Sequence, residues 1–188
     1  MTATFEKRKS DCLSKADKSS IGEWDEPIRG LCKKINAKDR YYTLSSCSGR
    51  IVLIRNLEKK QPDMFVFRSH EKTSFEELKK ALLDAEKKKE TLIFKQEQPI
   101  LHVACTTLDD AEQILRKAQL AGFKHSGIMN ISESRIVLEI IGSEQLSLPI
   151  TQAGKNLVND DFLEILVKES NRRLEIGWEK IRRLERTI

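Results

Sequence analysis

The run Arg50-Ile-Val-Leu53 recurs as Arg135-Ile-Val-Leu138, and each copy closes a hairpin-like segment, Leu44–Arg50 and Met129–Arg135. A second pair of segments also matches. Phe65–Leu82 and Leu101–Leu115 each read as an apolar strand, a hydroxyl cap, an acidic first turn and an apolar helical stripe. Matched segments of this kind are the mark of an internal duplication. They predict an α+β fold whose mostly antiparallel or mixed sheet carries helices chiefly on one face, with a cleft near a pseudo-twofold axis.

Local signals place the elements. The chain to about residue 20 is polar and predicts one short helix. Asp25-Glu-Pro27 is a helix entry, with proline in the first turn and acids at the positive end of the dipole; Ile28, Leu31, Cys32 and Ile35 then form one stripe. Tyr41–Ser46 and Arg50–Arg55 are β-prone and predict a hairpin across Cys47-Ser-Gly49. Further strands are expected at Met64–Ser69, Thr91–Lys95, Ile100–Cys105, Phe123–Ile131, Arg135–Ile141 and Gln145–Ile150. Ser74-Phe-Glu-Glu77 is a capping box, Thr107 caps a helix and Gly122 stops it. From about Asp160 to Arg186, Leu163, Val167, Ser170, Leu174, Gly177, Ile181 and Leu184 follow 4-3 spacing. Ser170 and Gly177 weaken a free coiled coil, so this helix is expected to pack across its own chain. The expected organisation is a single domain over 1–188: N-terminal helices in 1–38, a duplicated core in 39–150 and a closing helix in 159–186.

Composition excludes several classes. No apolar run approaches the roughly 20 residues of a membrane helix, and no secretory signal is visible, so a cytoplasmic protein with no membrane partner is expected. Four cysteines at 12, 32, 47 and 105 without a CxxC, and three isolated histidines, predict neither a disulfide framework nor a metal site. No GxG occurs, which removes the dinucleotide fingerprint and the glycine-rich loop of Rossmann methyltransferases. The net charge of +5 is unevenly spread. Lys33, Lys34, Lys38, Arg40, Arg50, Arg55, Lys59 and Lys60 stand against Asp39 and Glu58, so the stretch 33–60 carries +6 and the remainder −1. Such a local positive field suits a polyanionic partner.

Inside that stretch lies Ser45-Ser-Cys-Ser-Gly-Arg50. Small hydroxyl side chains and a glycine let backbone amides approach a ligand, and Arg50 can engage a carboxylate or phosphate bidentately; a tight turn is the alternative reading. Cys47 has no partner-base signature and is not read as a nucleophile. His70 follows a strand end, where it reaches a rim. His102, within its strand, reads as a core or sheet-face residue. Lys124-His-Ser-Gly127 is the second copy's polar loop, expected to face the first.

The run Asp39-Arg-Tyr-Tyr-Thr-Leu-Ser-Ser-Cys-Ser-Gly-Arg-Ile51 resembles the hallmark of the wybutosine-synthesis N4-methyltransferase family, of the stand-alone archaeal type. Trp24-Asp25, Phe67-Arg-Ser-His-Glu71, Ile100-Leu-His-Val-Ala104, Gly122-Phe-Lys-His-Ser-Gly-Ile128, Leu166-Val-Lys-Glu-Ser-Asn171 and Arg182-Arg-Leu-Glu185 fall in the family's order, with Arg68 a departure from its pattern. The resemblance implies a methyltransferase that is not of the Rossmann fold. Its methyl donor would be S-adenosylmethionine, and its acceptor N4 of a demethylwyosine-type base beside the anticodon of phenylalanine tRNA. On that reading Ser45, Ser46, Cys47, Ser48, Gly49, His102, His125, Ser126 and Gly127 hold the cofactor. Arg50 meets a carboxylate, His70 is a polar contact or proton acceptor, and Lys33, Lys34, Lys38, Arg40 and Arg55 hold RNA phosphates. A monomer is expected. The competing reading is a non-catalytic RNA-binding module using the 33–60 surface.

Overall fold

A computed structural model describes residues 3–14, 24–55 and 64–188; Glu58, Lys59 and Lys60 of the basic stretch lie outside these. Five helices and nine strands are formed among the described residues: α1 (Ala3–Leu13), α2 (Glu26–Asn36), β1 (Tyr41–Cys47), β2 (Arg50–Arg55), β3 (Phe65–Ser69), α3 (Phe75–Lys87), β4 (Leu92–Glu97), β5 (Ile100–Cys105), α4 (Leu108–Ala121), β6 (Gly127–Ser132), β7 (Arg135–Ile141), β8 (Leu146–Gln152), β9 (Lys155–Asn156) and α5 (Asp160–Thr187). The sequence signals act as expected. Ser74 and Glu77 complete a reciprocal capping box on α3, Thr107 accepts the Asp110 N–H at the start of α4, and Gly122 ends α4 in the left-handed region at φ 111°.

The chain divides into two compact units, residues 1–48, 99–143 and 177–188, and residues 49–98 and 144–176. Each holds one antiparallel sheet. The first unit has the order β1-β5-β7-β6 and the second β3-β2-β4-β8-β9. The α+β class therefore stands, with the strands shared between two sheets. The hairpin expected across Cys47-Ser-Gly49 does not form. β1 pairs with β5, whereas β2 pairs with β3 and β4. The reason lies far along the chain: Gly49 sits at φ +98°, and a Cβ there would lie 3.0 Å from the Glu97 carbonyl and 3.1 Å from Leu174. The chain turns away at that point instead of folding back on β1.

The duplication is visible in the pairing. In the second unit β3 and β4 are both antiparallel to β2, hence parallel to each other, and α3 joins them. In the first unit β5 and β6 are both antiparallel to β7, and α4 joins them. The repeated Arg-Ile-Val-Leu strand is the central strand of both split β-α-β units. Register agrees: Ile51 faces Ser69 and Gln96, and Ile136 faces Cys105 and Ile131. The copies differ in chain order, since β2 precedes its β-α-β unit and β7 follows its own.

The core of the first unit lies on one face of its sheet. Ile28, Leu31, Cys32 and Ile35 of α2, the inner stripe of α4, and Ile181 and Leu184 of α5 cover Leu101, Val103, Cys105, Ile136, Leu138 and Ile140. On the opposite face Phe5 of α1 packs edge-on against Tyr42, with ring centroids 5.1 Å apart, beside Ala104. All seven residues of the 4-3 stripe on α5 are buried within the chain, in keeping with the expected packing across its own chain. Gly177 admits Pro99, whose Cγ would lie 2.7 Å from a Cβ there. No helix among the described residues is long and apolar enough to cross a membrane.

Candidate functional site

β1 carries a bulge between Thr43 and Ser45. Thr43 faces the core side, where its N–H donates to the Asn36 side chain at 2.8 Å. Without the extra residue Ser45, two positions on, would share that face. The bulge turns it to the opposite face, where it pairs with His102, as bulges beside functional positions do. From there one register row crosses all four strands: Ser45 on β1, His102 on β5, Glu139 on β7 and Gly127 on β6. The side chains are in contact along it. Ser45 Oγ lies 2.7 Å from His102 Nδ1, and His102 Nε2 lies 3.2 Å from Glu139 Oε2. Ser45 is exposed, while the His102 and Glu139 side chains keep 22% and 29% of their surface in solvent. An acid, an imidazole and a hydroxyl thus stand in line on a face reachable from water.

Cys47 lies opposite Ile100 in the register, with its Sγ within 4.8 Å of the Asp25 carboxylate, and Ser46 faces the core side opposite Leu101. Ser48 ends the strand fully buried and is held by all its polar groups. Its N–H and Oγ donate to Asp25 Oδ2 at 2.7 and 3.0 Å, and its carbonyl accepts the Trp178 indole N–H at 3.1 Å. Asp25 itself makes no side-chain cap on α2, although it stands at the N-cap position. At the far edge of the sheet Ser126 is buried and its Oγ accepts the Ile141 N–H at 3.1 Å, while His125 is exposed. Ser45–Ser48 and His125-Ser126-Gly127 therefore lie at the same end of one sheet, on its two outer strands, about 14 Å apart at ~4.8 Å per strand, while Gly49 and Arg50 belong to the second unit. A Cβ on Gly127 would meet nothing within 4 Å.

In the second unit Arg50 Nε donates to Glu97 Oε2, and the guanidinium groups of Arg50 and Arg68 lie 5.3 and 4.9 Å from the centre of the Phe65 ring. The departure at Arg68 thus makes a second cation–π contact on the ring that Arg50 also meets. His70 comes just after β3 and is half-buried, as is His102 within β5, so exposure does not separate the two. Of the basic residues, Lys33 and Lys38 are exposed; Lys34 Nζ donates to the Glu185 carbonyl at 2.7 Å. Arg40 pairs with Asp110 at 2.8 Å and Arg55 with Glu90 at 2.9 Å. Lys33 and Lys34 project from α2, which covers the core face of the first sheet. They stand on the side opposite the Ser45–His102–Glu139 row. Burial pushes the Cys105 thiol up to about 12, with the Asp110 charge adding to it, so that cysteine is inert at neutral pH.

Three residues of the site were not singled out by sequence reasoning. Asp25 was read as an acidic helix entry and as part of the Trp24-Asp25 match, without a role at the site, and Trp178 was given no role. Glu139 had one available signal, a lone acid among the alternating apolar residues of Arg135–Ile141.

The sequence matches the family described as Methyltransferase TYW3 over residues 7–188. A Thermococcus sibiricus protein named tRNA(Phe) 7-((3-amino-3-carboxypropyl)-4-demethylwyosine(37)-N(4))-methyltransferase is 35% identical over 189 residues, covering 98% of this chain and 94% of its own. A Danio rerio protein named tRNA wybutosine-synthesizing protein 3 homolog is 34% identical, over 98% of this chain and 74% of its own. A solved structure from Pyrococcus horikoshii OT3 superposes with a TM-score of 0.85 at 31% identity, covering 99% of this chain and 94% of that one. A second, from Aeropyrum pernix, gives 0.75 at 30% identity over 87% and 96%. The match to the family over residues 7–188 and the relatives matched along nearly the whole chain show that the chain belongs to the TYW3 methyltransferase family.

Proposed function

We propose that this chain is an S-adenosylmethionine-dependent tRNA methyltransferase that methylates N4 of a demethylwyosine-type base beside the anticodon of phenylalanine tRNA. The observation that carries this reading is the match along nearly the full chain to a relative named for that reaction. The first sheet leaves space for the cofactor beside the Ser45–His102–Glu139 row: Gly127 stands at the end of that row, and a Cβ there would meet nothing within 4 Å. When bound, the sulfonium supplies an electrophilic methyl group. The protein's own work is to orient donor and acceptor in line, which contributes about 7–11 kcal/mol in well-aligned systems, and to hold the splayed base. Asp25 and Trp178 fix the backbone of Ser48, so the strand that carries Ser45 is held in place. A covalent cysteine step is not required.

Lys33, Lys34 and Lys38 are taken as phosphate contacts, with Arg40 and Arg55 engaging phosphates beside their present carboxylate partners. Arg172 and Arg173 both donate to Glu169, and Arg182 and Arg183 to Glu179, the same kind of pairing that Arg40 and Arg55 make, so these helix arginines are the next candidates. Calorimetric titration tests the reading. The wild-type protein should bind both S-adenosylmethionine and tRNA(Phe). Neutralising Lys33, Lys34 and Lys38 together should leave the cofactor isotherm unchanged and lower the log–log salt slope of RNA binding by about 2–3, at roughly 0.7–0.9 per lost contact. An RNA-binding module would take up tRNA and no cofactor. An unchanged slope would move the RNA face elsewhere.

A further inference from the structure

We infer that Ser45, His102 and Glu139 form a proton relay that removes the hydrogen of the acceptor nitrogen as the methyl group is transferred. The inference rests on the methyltransferase reading above. It assigns an acid–base role that the match to relatives does not supply, and it gives Glu139 a part.

The charge balance requires a proton to leave. A cationic methyl sulfonium and a neutral heterocycle bearing N–H become a neutral thioether, a neutral N-methyl product and one proton. The nitrogen's electron pair forms the new N–C bond, and the C–S bond breaks with its pair passing to sulfur. The proton needs an acceptor beside the nitrogen, and a side chain held there takes it faster than bulk water does.

The geometry fixes the direction of transfer. A carboxylate only accepts hydrogen bonds, so Glu139 at 3.2 Å sets the neutral ring of His102 in the tautomer with its hydrogen on Nε2. Nδ1 then carries the free lone pair, and Ser45 Oγ, 2.7 Å away, donates its hydrogen to it. What remains unused along the row is the lone pairs of the Ser45 oxygen, and Ser45 is the exposed end. A donor N–H placed against that oxygen gives up its proton to Ser45 as Ser45 passes its own to His102 Nδ1. The resulting imidazolium is stabilised at Nε2 by the Glu139 carboxylate. Ser45 is then a catalytic residue touching the substrate, His102 the proton acceptor, and Glu139 a positioning residue acting through His102. Among the described residues of this sheet, Arg135 also places its charge on this face, and its Nη1 donates to the Tyr42 hydroxyl at 3.0 Å, toward the end that α1 covers. The bulge between Thr43 and Ser45 has its use here: it brings the serine to the histidine's face.

Single-turnover methyl transfer on acceptor tRNA, with saturating S-adenosylmethionine, tests the relay. Ser45→Ala and His102→Ala should each slow transfer by about a hundredfold or more. Affinities for tRNA and cofactor should stay within about threefold of wild type. Added imidazole should restore part of the His102→Ala rate, a recovery that a merely structural histidine would not give. Glu139→Gln should slow transfer by about tenfold. Nitrogen-15 NMR of the imidazole should find the Nε2–H tautomer in the wild-type protein and lose that preference in Glu139→Gln, a readout independent of turnover. An active wild type whose Ser45 and His102 variants transfer at rates within twofold of its own overturns the relay alone. So does an Nδ1–H tautomer. A wild type inactive on this acceptor removes the methyltransferase reading and the relay's role with it.

Discussion

Replacing Arg50 by alanine should abolish methyl transfer while leaving the melting midpoint within a few degrees of wild type. Arg50 ends the hydroxyl-rich segment and is the candidate for a cofactor or substrate carboxylate, the role in which a guanidinium's paired N–H groups have no substitute. Its present partner, Glu97, is about a third exposed, as is Arg50 itself, so the ion pair contributes little to folding after solvent screening. The contact with Phe65 adds about 0.5–1 kcal/mol at such a site. Arg50→Lys keeps the charge but loses the fork and should recover only a minor share of the activity. Thermal melting beside a methyl-transfer assay separates the outcomes. Full activity in Arg50→Ala, or loss of folding, would return the segment to a structural turn.

The second large effect belongs to Asp25. Its carboxylate is the acceptor for both the N–H and the Oγ of Ser48, and Ser48 is wholly buried. Removing it strands two donors away from water at about 1–3 kcal/mol each. Asp25→Ala should therefore cost about 3 kcal/mol, lowering the midpoint by roughly 6–12 °C in a chain of this size, and should reduce transfer as well. Asp25→Asn keeps one acceptor oxygen and should lose less than half as much. Differential scanning calorimetry of the three proteins decides it. An alanine variant melting within 2 °C of wild type would mean that these bonds do not hold the strand end.

Much of the fold was legible because its signals are local. The capping box at Ser74 and Glu77, the cap at Thr107 and the stop at Gly122 depend on neighbours a few positions away. The duplication was legible because the central strand of each half has the same four residues. The permuted chain order was not, since it depends on which strands pair. The missing hairpin failed for a related reason: β-prone runs around Cys47-Ser-Gly49 satisfy the local rule, but Gly49 packs against Glu97 and Leu174, residues far along the chain. The site divides in the same way. Ser45–Arg50 stood out by composition, and His102 was taken on sequence alone for a core or sheet-face residue. Its partners Ser45 and Glu139 lie 57 and 37 positions away, joined only by strand register. Asp25 looked like a helix-entry acid because that use is commoner, and nothing local reveals that its carboxylate reaches Ser48.

Mass spectrometry of nucleosides released from tRNA(Phe) tests the central assignment most directly. The tRNA should carry the aminocarboxypropyl demethylwyosine base and be incubated with this protein and S-adenosylmethionine labelled at the methyl group. The expected result is one labelled methyl on that base alone, located at N4 by fragmentation, with no label on tRNA lacking the tricyclic base. Label at another nucleoside, or none under conditions where the protein binds both partners, would contradict it.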